Sequence, residues 1–503
     1  MSFAFSLLLI IVGTFSVAVL PTAGQTLEWD FYVSNFGSDS GRGTEGDPFE
    51  TISQALLSME QIINIAGPTV SAVRIYLLAG IFSGPGNQQL SFSIPKTLTS
   101  LSISGAQSGS SQPPVIKCAS PALFGLNILS PQGASKRAFD LFQVSILCPT
   151  ALMTSFNNTA ADSLLSITVT DSILQTFGTG GSAMAASGQS GPILIQNSSL
   201  VQSSPTDPCL SLSTSSLVSI FGSTVSGGAT AFAYSSVITS PNLLVQSSHL
   251  MGSNTILSIS SATGKAIFSD SIISPTYDTS EVADVFFVRG GASLEFHNVK
   301  VPGLSGWSPS TSCSDNTLIN FQGSSLTITD SSFTQGIYQY LFLGSSASSY
   351  QTVSISGTIF ADSQCTAVST SGGVHLTITN STFSSLSGGA LLHNVIGSGL
   401  QDKSFLTSVL FQKNSASDSG GAITNWAALC NVQASTFIDN TGAVGLAVYD
   451  GSAPGASSVS IASSQFQYST NIQSPSILVC QAPGTIQTFQ FTFPPQMSVS
   501  SGC

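Results

Sequence analysis

The chain has 503 residues, and only 7% of them are charged, against about a quarter in ordinary globular proteins. The formal net charge is −12, because 23 acidic residues face only 11 Lys and Arg. No basic stripe exists that could neutralise phosphates, so the composition argues against a nucleic-acid partner.

The segment from Phe3 to Leu20 is almost entirely apolar, and Pro21-Thr22-Ala23-Gly24 follows it. This pattern predicts a secretory signal peptide over residues 1–24. The apolar run has no Lys or Arg before it, so a retained N-terminal membrane anchor stays as the alternative. No other run reaches the ~18 apolar residues that a span requires. We therefore expect a secreted, extracellular or cell-surface protein with no further transmembrane segment.

Residues 25–70 are predicted to form a strand, a Gly-rich turn and a helix. The strand covers Asp30 to Ser34, and Asp47 can cap a helix whose first position is Pro48. Apolar residues then recur at spacings of three and four, as on one helical face: Phe49, Ile52, Leu56, Met59 and Ile63. Such a helix is suited to closing the apolar end of a repeat array, whose terminal units must be atypical.

A repeated phrase dominates residues 71–480: a short alternating strand, a small or polar pair, and one large apolar anchor. Consecutive anchors lie roughly 23 to 32 residues apart, a period typical of stacked repeats. The anchors are Leu174, Leu200, Val225, Leu250, Ile273, Val301, Phe333, Phe360, Phe383, Phe411, Phe437 and Phe466.

The position three residues before each anchor is mostly Asp, Asn, Gly or Ser. Asp, Asn and Gly tolerate left-handed backbone angles, so we predict that the chain bends at the same corner in every turn. The positions are Asp171, Asn197, Gly222, Ser247, Asp270, Asn298, Asp330, Gly357, Asn380, Ser408, Ala434 and Ser463.

These patterns predict an all-β fold, a right-handed parallel β-helix, with the anchors stacked inside and a short N-terminal capping helix. A β-propeller is the rival, but its blades need about 40 residues and hairpin turns. Residues 481–503 are expected to be a C-terminal extended segment.

Eight cysteines in a secreted chain favour disulfides. Cys118 and Cys148 lie about one coil apart, which puts them within reach of a bridge. Cys480 and Cys503 are further disulfide candidates. The alternative is that the cysteines are isolated buried thiols. Three glycosylation sequons begin at Asn157, Asn197 and Asn380, and they matter only in a eukaryotic host.

The stretch from Tyr32 to Leu56, YVSNFGSDSGRGTEGDPFETISQAL, resembles the start of secreted β-helix proteins of the pectate-lyase-like superfamily. Two F-x-x-N motifs begin at Phe411 and Phe437, and two G-G-A-[ILV] motifs begin at Gly388 and Gly420. These motifs resemble the repeats of the chlamydial polymorphic outer-membrane-protein family. No translocator barrel follows them, so autotransport is not expected.

The resemblance implies polysaccharide chemistry, yet the paired aspartates, Gly-His-Gly and Arg-x-Lys of the superfamily's hydrolases are missing from the sequence. The one gathering comparable to a lyase site is Asp278, Glu281, Asp284 and Arg289. It could bind Ca²⁺ or act as an acid/base pair, and it could equally be a solvated loop. No other cofactor or metal is predicted.

The favoured hypothesis is a secreted, non-catalytic β-helix that binds a polysaccharide or a cell-surface protein, as an adhesin does. The alternative is a polysaccharide-active enzyme, a lyase or an epimerase, with residues 278–289 as its site. The oligomeric state is not predicted.

Overall fold

The computed structural model describes residues 27–66, 70–106, 112–118, 126–129, 136–149, 153–154, 165–178, 181–187, 191–204, 207–213, 217–227, 230–234, 242–252, 255–261, 263–275, 284–303, 317–336, 339–344, 350–394, 401–417, 420–426, 428–444, 447–450, 458–468, 476–480, 486–489 and 498–499. The chain divides into two compact units, Met1–Leu200 and Val201–Cys503. In this described part no helix is long and apolar enough to cross a membrane.

The first unit contains helix α1 (Ile52–Ala66) and three parallel sheets, called A, B and C in the order in which the chain visits them. Sheet A contains β1 (Leu27–Val33), β2 (Val70–Leu77), β5 (Ser100–Gly105), β8 (Arg137–Phe142), β11 (Leu165–Thr170) and β14 (Ile193–Gln196). Sheet B contains β3 (Ile81–Ser83), β6 (Val115–Lys117), β9 (Ser145–Cys148) and β12 (Ile173–Thr176), and the boundary between the units falls in β15 (Ser199–Gln202). Sheet C contains β4 (Leu90–Ser93), β7 (Leu126–Leu129), β10 (Met153–Thr154) and β13 (Met184–Ser187).

The second unit repeats this three-sheet arrangement. Sheet A contains β17 (Leu217–Phe221), β20 (Asn242–Gln246), β23 (Lys265–Ser269), β26 (Ser293–His297), β29 (Ser325–Thr329), β32 (Gln351–Ser356), β35 (Val374–Thr379), β38 (Lys403–Thr407), β42 (Leu429–Gln433), β46 (Ser458–Ala462) and β49 (Ile486–Phe489). Sheet B contains β18 (Thr224–Gly227), β21 (His249–Gly252), β24 (Ile272–Pro275), β27 (Lys300–Val301), β30 (Ser332–Thr334), β33 (Ile359–Ala361), β36 (Thr382–Ser384), β39 (Leu410–Gln412), β43 (Thr436–Ile438) and β47 (Gln465–Gln467). Sheet C contains β16 (Pro208–Ser213), β19 (Thr230–Tyr234), β22 (Thr255–Ser261), β25 (Phe286–Gly290), β28 (Thr317–Gln322), β31 (Gln339–Gly344), β34 (Val368–Ser371), β37 (Leu391–Asn394), β41 (Ile423–Asn425), β45 (Val448–Asp450), β48 (Ser476–Cys480) and β50 (Ser498–Val499). A small fourth sheet pairs β40 (Ser415–Ala416) with β44 (Thr441–Gly442).

Within each unit, the strands pair in parallel with the strand of the same sheet one coil further on. Phe360 of β33 is in register with Phe383 of β36, which is in register with Phe411 of β39. Alternate residues of each strand point inward, as in β35, where Val374, Leu376 and Ile378 are buried. This topology confirms the predicted right-handed parallel β-helix. Strands β49 and β50, which lie in the expected C-terminal segment, pair with β46 and β48.

The apolar anchors form an interior column, as predicted. In the second unit, adjacent phenylalanine rings from Phe333 to Phe466 are stacked with centroids 4.7–5.4 Å apart. The four central rings, Phe360, Phe383, Phe411 and Phe437, have no solvent exposure. Burying such a side chain contributes about 1.5–3 kcal/mol, so the column holds neighbouring coils in register.

The first corner of the coil is left-handed at every predicted position. All twelve residues have φ between 48° and 59°, including Ala434, the residue type least suited to it. The residue that follows is usually a buried Ser or Thr. Its hydroxyl donates to the carbonyl oxygen two residues back and accepts an N–H from the preceding coil, as Ser381 does with Thr379 and Thr358. This serine ladder satisfies backbone groups that the corner removes from the sheets.

A second left-handed corner follows the anchors. Residues two positions after the anchor have positive φ, among them Gln335, Asp362, Ser385, Lys413 and Asp439.

In the two F-x-x-N motifs, the Asn side chain is fully buried behind this second corner. Asn440 Nδ2 donates to the carbonyl of Phe411, and its Oδ1 accepts the backbone N–H of Asn414. Gly420 approaches the backbone so closely that an added Cβ would lie 2.3 Å from the Ile423 carbonyl oxygen.

Helix α1 begins later than predicted, at Ile52 and not at Pro48. Phe49 is held in extended backbone instead, because its N–H donates to the Tyr32 carbonyl and its carbonyl accepts the Ser34 N–H. Thr51 then caps the helix by accepting the Gln54 N–H. The predicted apolar stripe is buried.

Candidate functional site

Two of the four predicted site residues, Asp284 and Arg289, lie at the two ends of β25 in sheet C of the second unit. Asp278 and Glu281 lie outside the described residues. The connection 276–285 leads into β25, and the long connection 302–316 leads into the neighbouring β28. The site is therefore built on two adjacent strands.

A chain of hydrogen bonds extends from Asp284 along β28. Asn320 Nδ2 donates to Asp284 Oδ2 at 2.8 Å, and Gln322 Nε2 donates to Asn320 Oδ1 at 3.3 Å. All three side chains are half-buried on the solvent side of the sheet.

An aromatic ring lies beside this polar chain. Phe287 of β25 is in register with Asn320, which is in register with Phe342 of β31. The guanidinium carbon of Arg289 lies 4.2 Å from the centroid of the Phe287 ring, a cation–π contact. The β25–β28 site, defined as Asp284, Phe287, Arg289, Asn320 and Gln322, thus combines one ring face, one cation, one carboxylate and two amides.

Burial raises the pKa of Asp284 above its ordinary value, although the hydrogen bond from Asn320 and the charge of Arg289 both oppose this shift. A carboxyl group with a raised pKa can exchange a proton more readily near neutral pH. Within the described part of the chain, no group of three or more His, Cys, Asp or Glu side chains is arranged to hold a metal ion.

A second polar cluster lies on the outer face of sheet A and was not predicted. Glu295 Oε1 is 2.9 Å from Lys265 Nζ, and Glu295 Oε2 is 3.4 Å from His297 Nε2. His297 Nδ1 is 2.7 Å from Thr329 Oγ1. Burial tends to raise the pKa of Glu295, but the contacts with Lys265 and His297 outweigh it and the pKa is lowered. The alternation along Glu295-Phe296-His297 could have indicated from the sequence that the acid and the imidazole share one face. That Lys265 joins them follows only from the register between neighbouring coils.

A third cluster lies inside the coil, where His393, Asp402, Thr370 and Ser404 are 0–1% exposed. His393 Nε2 is 3.1 Å from Ser404 Oγ, and its Nδ1 is 2.8 Å from Thr370 Oγ1, which also donates to Asp402. The order resembles a Ser-His-Asp relay, but no substrate can reach a group without solvent exposure. This network therefore satisfies buried polar atoms and does not form a reaction site.

Cys118 and Cys148 form a disulfide in the first unit. Cys209 and Cys430 are buried free thiols, and burial raises the pKa of Cys430 to about 12. Asn197 and Asn380, which begin two of the sequons, lie exposed at the left-handed corner. Asn157, Cys503 and the side chain of Cys480 lie outside the described residues.

No family model matches the chain, and no curated protein matches it. Among solved structures, the catalytic unit of a GH87 α-1,3-glucanase from Streptomyces thermodiastaticus is similar at 11% identity and a TM-score of 0.30, covering 94% of this chain and 71% of that one. A family 28 exopolygalacturonase from Yersinia enterocolitica is similar at 7% identity and a TM-score of 0.27, covering 92% and 78%. The A-module of a mannuronan C-5 epimerase from Azotobacter vinelandii is similar at 12% identity and a TM-score of 0.21, covering 93% and 100%. At these values the similarity carries no argument about activity, and the fold rests on the strand pairing described above.

Proposed function

We propose that the protein is a non-catalytic, carbohydrate-binding β-helix that acts outside the cell or at its surface and binds glycan through the β25–β28 site. The supporting observation is the hydrogen-bonded row of Asp284, Asn320 and Gln322 beside the Phe287 ring. Sugar hydroxyls both donate and accept, and this row offers a carboxylate acceptor, two amides and a guanidinium donor next to one apolar ring face.

The scaffold of the site is rigid. The five side chains of the site stand on or immediately before two paired strands, whose backbones are fixed by the ladder on both sides. Such strands hold side chains at constant spacing, which suits recognition of a regular polymer. The Cys118–Cys148 disulfide fits an oxidising, extracellular environment.

A glycan array with the intact protein tests this proposal. We expect binding to a polysaccharide, and we expect Phe287→Ala and Asn320→Ala each to weaken it about tenfold, since each removes one good contact. Phe177→Ala is the matched control, because Phe177 is 54% exposed but lies in the first unit. Absence of glycan binding, or equal effects of Phe287→Ala and Phe177→Ala, would contradict the proposal.

One observation favours a second candidate function, a polysaccharide lyase or epimerase. It is the raised pKa of Asp284 in the electrostatic range of Arg289, an arrangement that can move a proton. The test is incubation with pectin and alginate while the ultraviolet absorbance of unsaturated products is followed, with proton exchange by NMR for epimerisation. Activity that disappears in Asp284→Asn would replace the non-catalytic proposal.

A further inference from the structure

The outer face of sheet A in the second unit changes character between β32 and β46. Its outward positions carry no carboxylate, although the chain has 23 acidic residues. They are Thr352, Ser354, Ser356, His375, Thr377, Thr379, Lys403, Phe405, Thr407, Leu429, Asn431, Gln433, Ser458, Ser460 and Ala462. We call this surface, together with Tyr350, the β32–β46 face.

Three large apolar side chains are exposed on this face: Phe405 at 51%, Leu429 at 40% and Tyr350 at 39%. The Tyr350 and His375 rings are tilted by 30° with their centroids 4.1 Å apart, and Lys403 Nζ lies 5.6 Å from the Tyr350 centroid. Lys403 is in register with both His375 and Leu429. The one formal charge among the outward positions is therefore positive, and it lies between His375 and Leu429 on the neighbouring strands.

We propose that the β32–β46 face is a docking surface for a short acidic segment of a partner protein. Protein interfaces have cores depleted of charged residues and enriched in aromatic ones, which matches this composition. Charge complementarity indicates an acidic partner, because Lys403 is the one formal charge among the outward positions of this face, which carry no carboxylate, although the chain as a whole has a net charge of −12.

The size and chemistry of the face favour a peptide. Five strands about 4.8 Å apart and five residues about 3.4 Å apart give a flat area of roughly 400 Å². This is about half of what one partner contributes to a standard interface, so it fits an extended segment better than a folded domain. Leu429 has no π face on which a sugar ring would stack, whereas it can pack against an apolar side chain of a peptide.

The geometry also suggests the pattern that would bind. Phe405 lies two residues beyond Lys403 on the same face of β38, about 6.8 Å along the strand, and Leu429 lies about 4.8 Å across. A carboxylate bound to Lys403 would therefore be flanked by apolar contacts on two sides. An acidic segment with aromatic or aliphatic neighbours fills this arrangement. This inference concerns a different sheet from the β25–β28 site and does not depend on glycan binding there.

The test uses the intact protein and three polymeric probes: a random Glu/Tyr copolymer, poly-Glu and polygalacturonate. We expect the Glu/Tyr copolymer to bind about tenfold more tightly than either of the other two, because only it supplies both carboxylates and apolar groups. Lys403→Glu should weaken this binding at least about tenfold, and added salt should weaken it in the wild type. Lys300→Glu makes the same charge change at an exposed position of sheet B and should have little effect.

Phe405→Ser and Leu429→Ser provide a second test: each should weaken binding of the Glu/Tyr copolymer, because each removes an apolar contact without changing the charge. Both positions lie on the surface. Thermal midpoints of all variants establish that they are folded. No binding of the copolymer, or equal losses in Lys403→Glu and Lys300→Glu, would overturn the proposal. Polygalacturonate binding as tightly as the copolymer, and losing affinity in Lys403→Glu, would overturn it in favour of an acidic saccharide.

Discussion

At the scale of single residues, the left-handed corner is the feature that the sequence revealed most fully. Asp, Asn and Gly recur at one phase of the repeat, and this preference for positive φ is local, so no tertiary information was needed. Even Ala434 and Ser463, which lack the preference, follow the pattern because the coils on either side impose the same bend.

Ala434 therefore occupies an unfavourable conformation, with φ of 49°. We expect Ala434→Gly to stabilise the protein by about 1 kcal/mol, since glycine adopts this region without steric cost. The matched control is Ala462→Gly on the outer face of β46, which should cost about 0.5–1 kcal/mol because glycine is more flexible when unfolded. Denaturant midpoints of both variants measure the effect, and destabilisation by Ala434→Gly would refute the assignment of strain.

The raised pKa of Asp284 makes a prediction about pH. A carboxyl whose folded pKa exceeds its unfolded value contributes stability that is complete below the unfolded pKa and is lost as the pH rises through the folded pKa. Asp284→Asn is neutral at every pH and should gain in thermal midpoint relative to the wild type as the pH rises above about 4, the ordinary pKa of an Asp carboxyl. Asp330→Asn, at an exposed corner, is the control. A difference that stays constant with pH would disprove the account.

At the scale of elements, alternation determined which face of each strand is buried, and this was enough to place the anchors in one column. The start of α1 could not be predicted, because hydrogen bonds with Tyr32 of β1 and with Ser34, just after it, hold Phe49 in extended backbone and out of the helix. The positions of the second corner could not be predicted, because Gln, Asp, Ser and Lys occupy it in different coils.

The candidate site also has residues that could be found from the sequence and residues that could not. Asp284 and Arg289 were identified because they belong to one gathering of charged residues that are close together in sequence. Their partners Asn320 and Gln322 lie one coil later, and the long connection 302–316 hides the register between β25 and β28 in the sequence. The row Lys265, Glu295 and His297 required the same register. Residues contributed by one strand could be predicted, and residues assembled by strand pairing could not.

The phenylalanine column predicts the energetics of a single coil. Phe383 has no solvent exposure and stacks on Phe360 at 5.0 Å and on Phe411 at 5.4 Å. Phe383→Ala should destabilise the second unit by about 3–5 kcal/mol, because it removes apolar contacts and leaves a cavity. Phe405→Ala, on the outer face, should change stability by less than about 1 kcal/mol. Similar losses in unfolding free energy for both variants would contradict the interior column.

At the scale of the whole molecule, stacked coils interact only with their neighbours, so stability is local. Replacing Cys118 and Cys148 together by Ala should destabilise the first unit by about 3–4 kcal/mol, the loop-closure value for a sequence separation of 30 residues. Hydrogen exchange measured by mass spectrometry should show faster exchange in residues 70–149 and unchanged exchange beyond about residue 300. Uniformly faster exchange throughout the chain would exclude this local behaviour.

The serine ladder has a consequence for how such a chain changes in length. Each rung, such as Ser331 or Ser381, accepts a backbone N–H from the coil before it and donates its own hydroxyl proton to a carbonyl of its own coil. Every rung is therefore interchangeable with the next. If the segment from one rung to the next is deleted or duplicated, the coils brought together still have complementary hydrogen-bond donors and acceptors at this corner. A gene for this architecture can therefore gain or lose whole coils while the protein keeps the same fold.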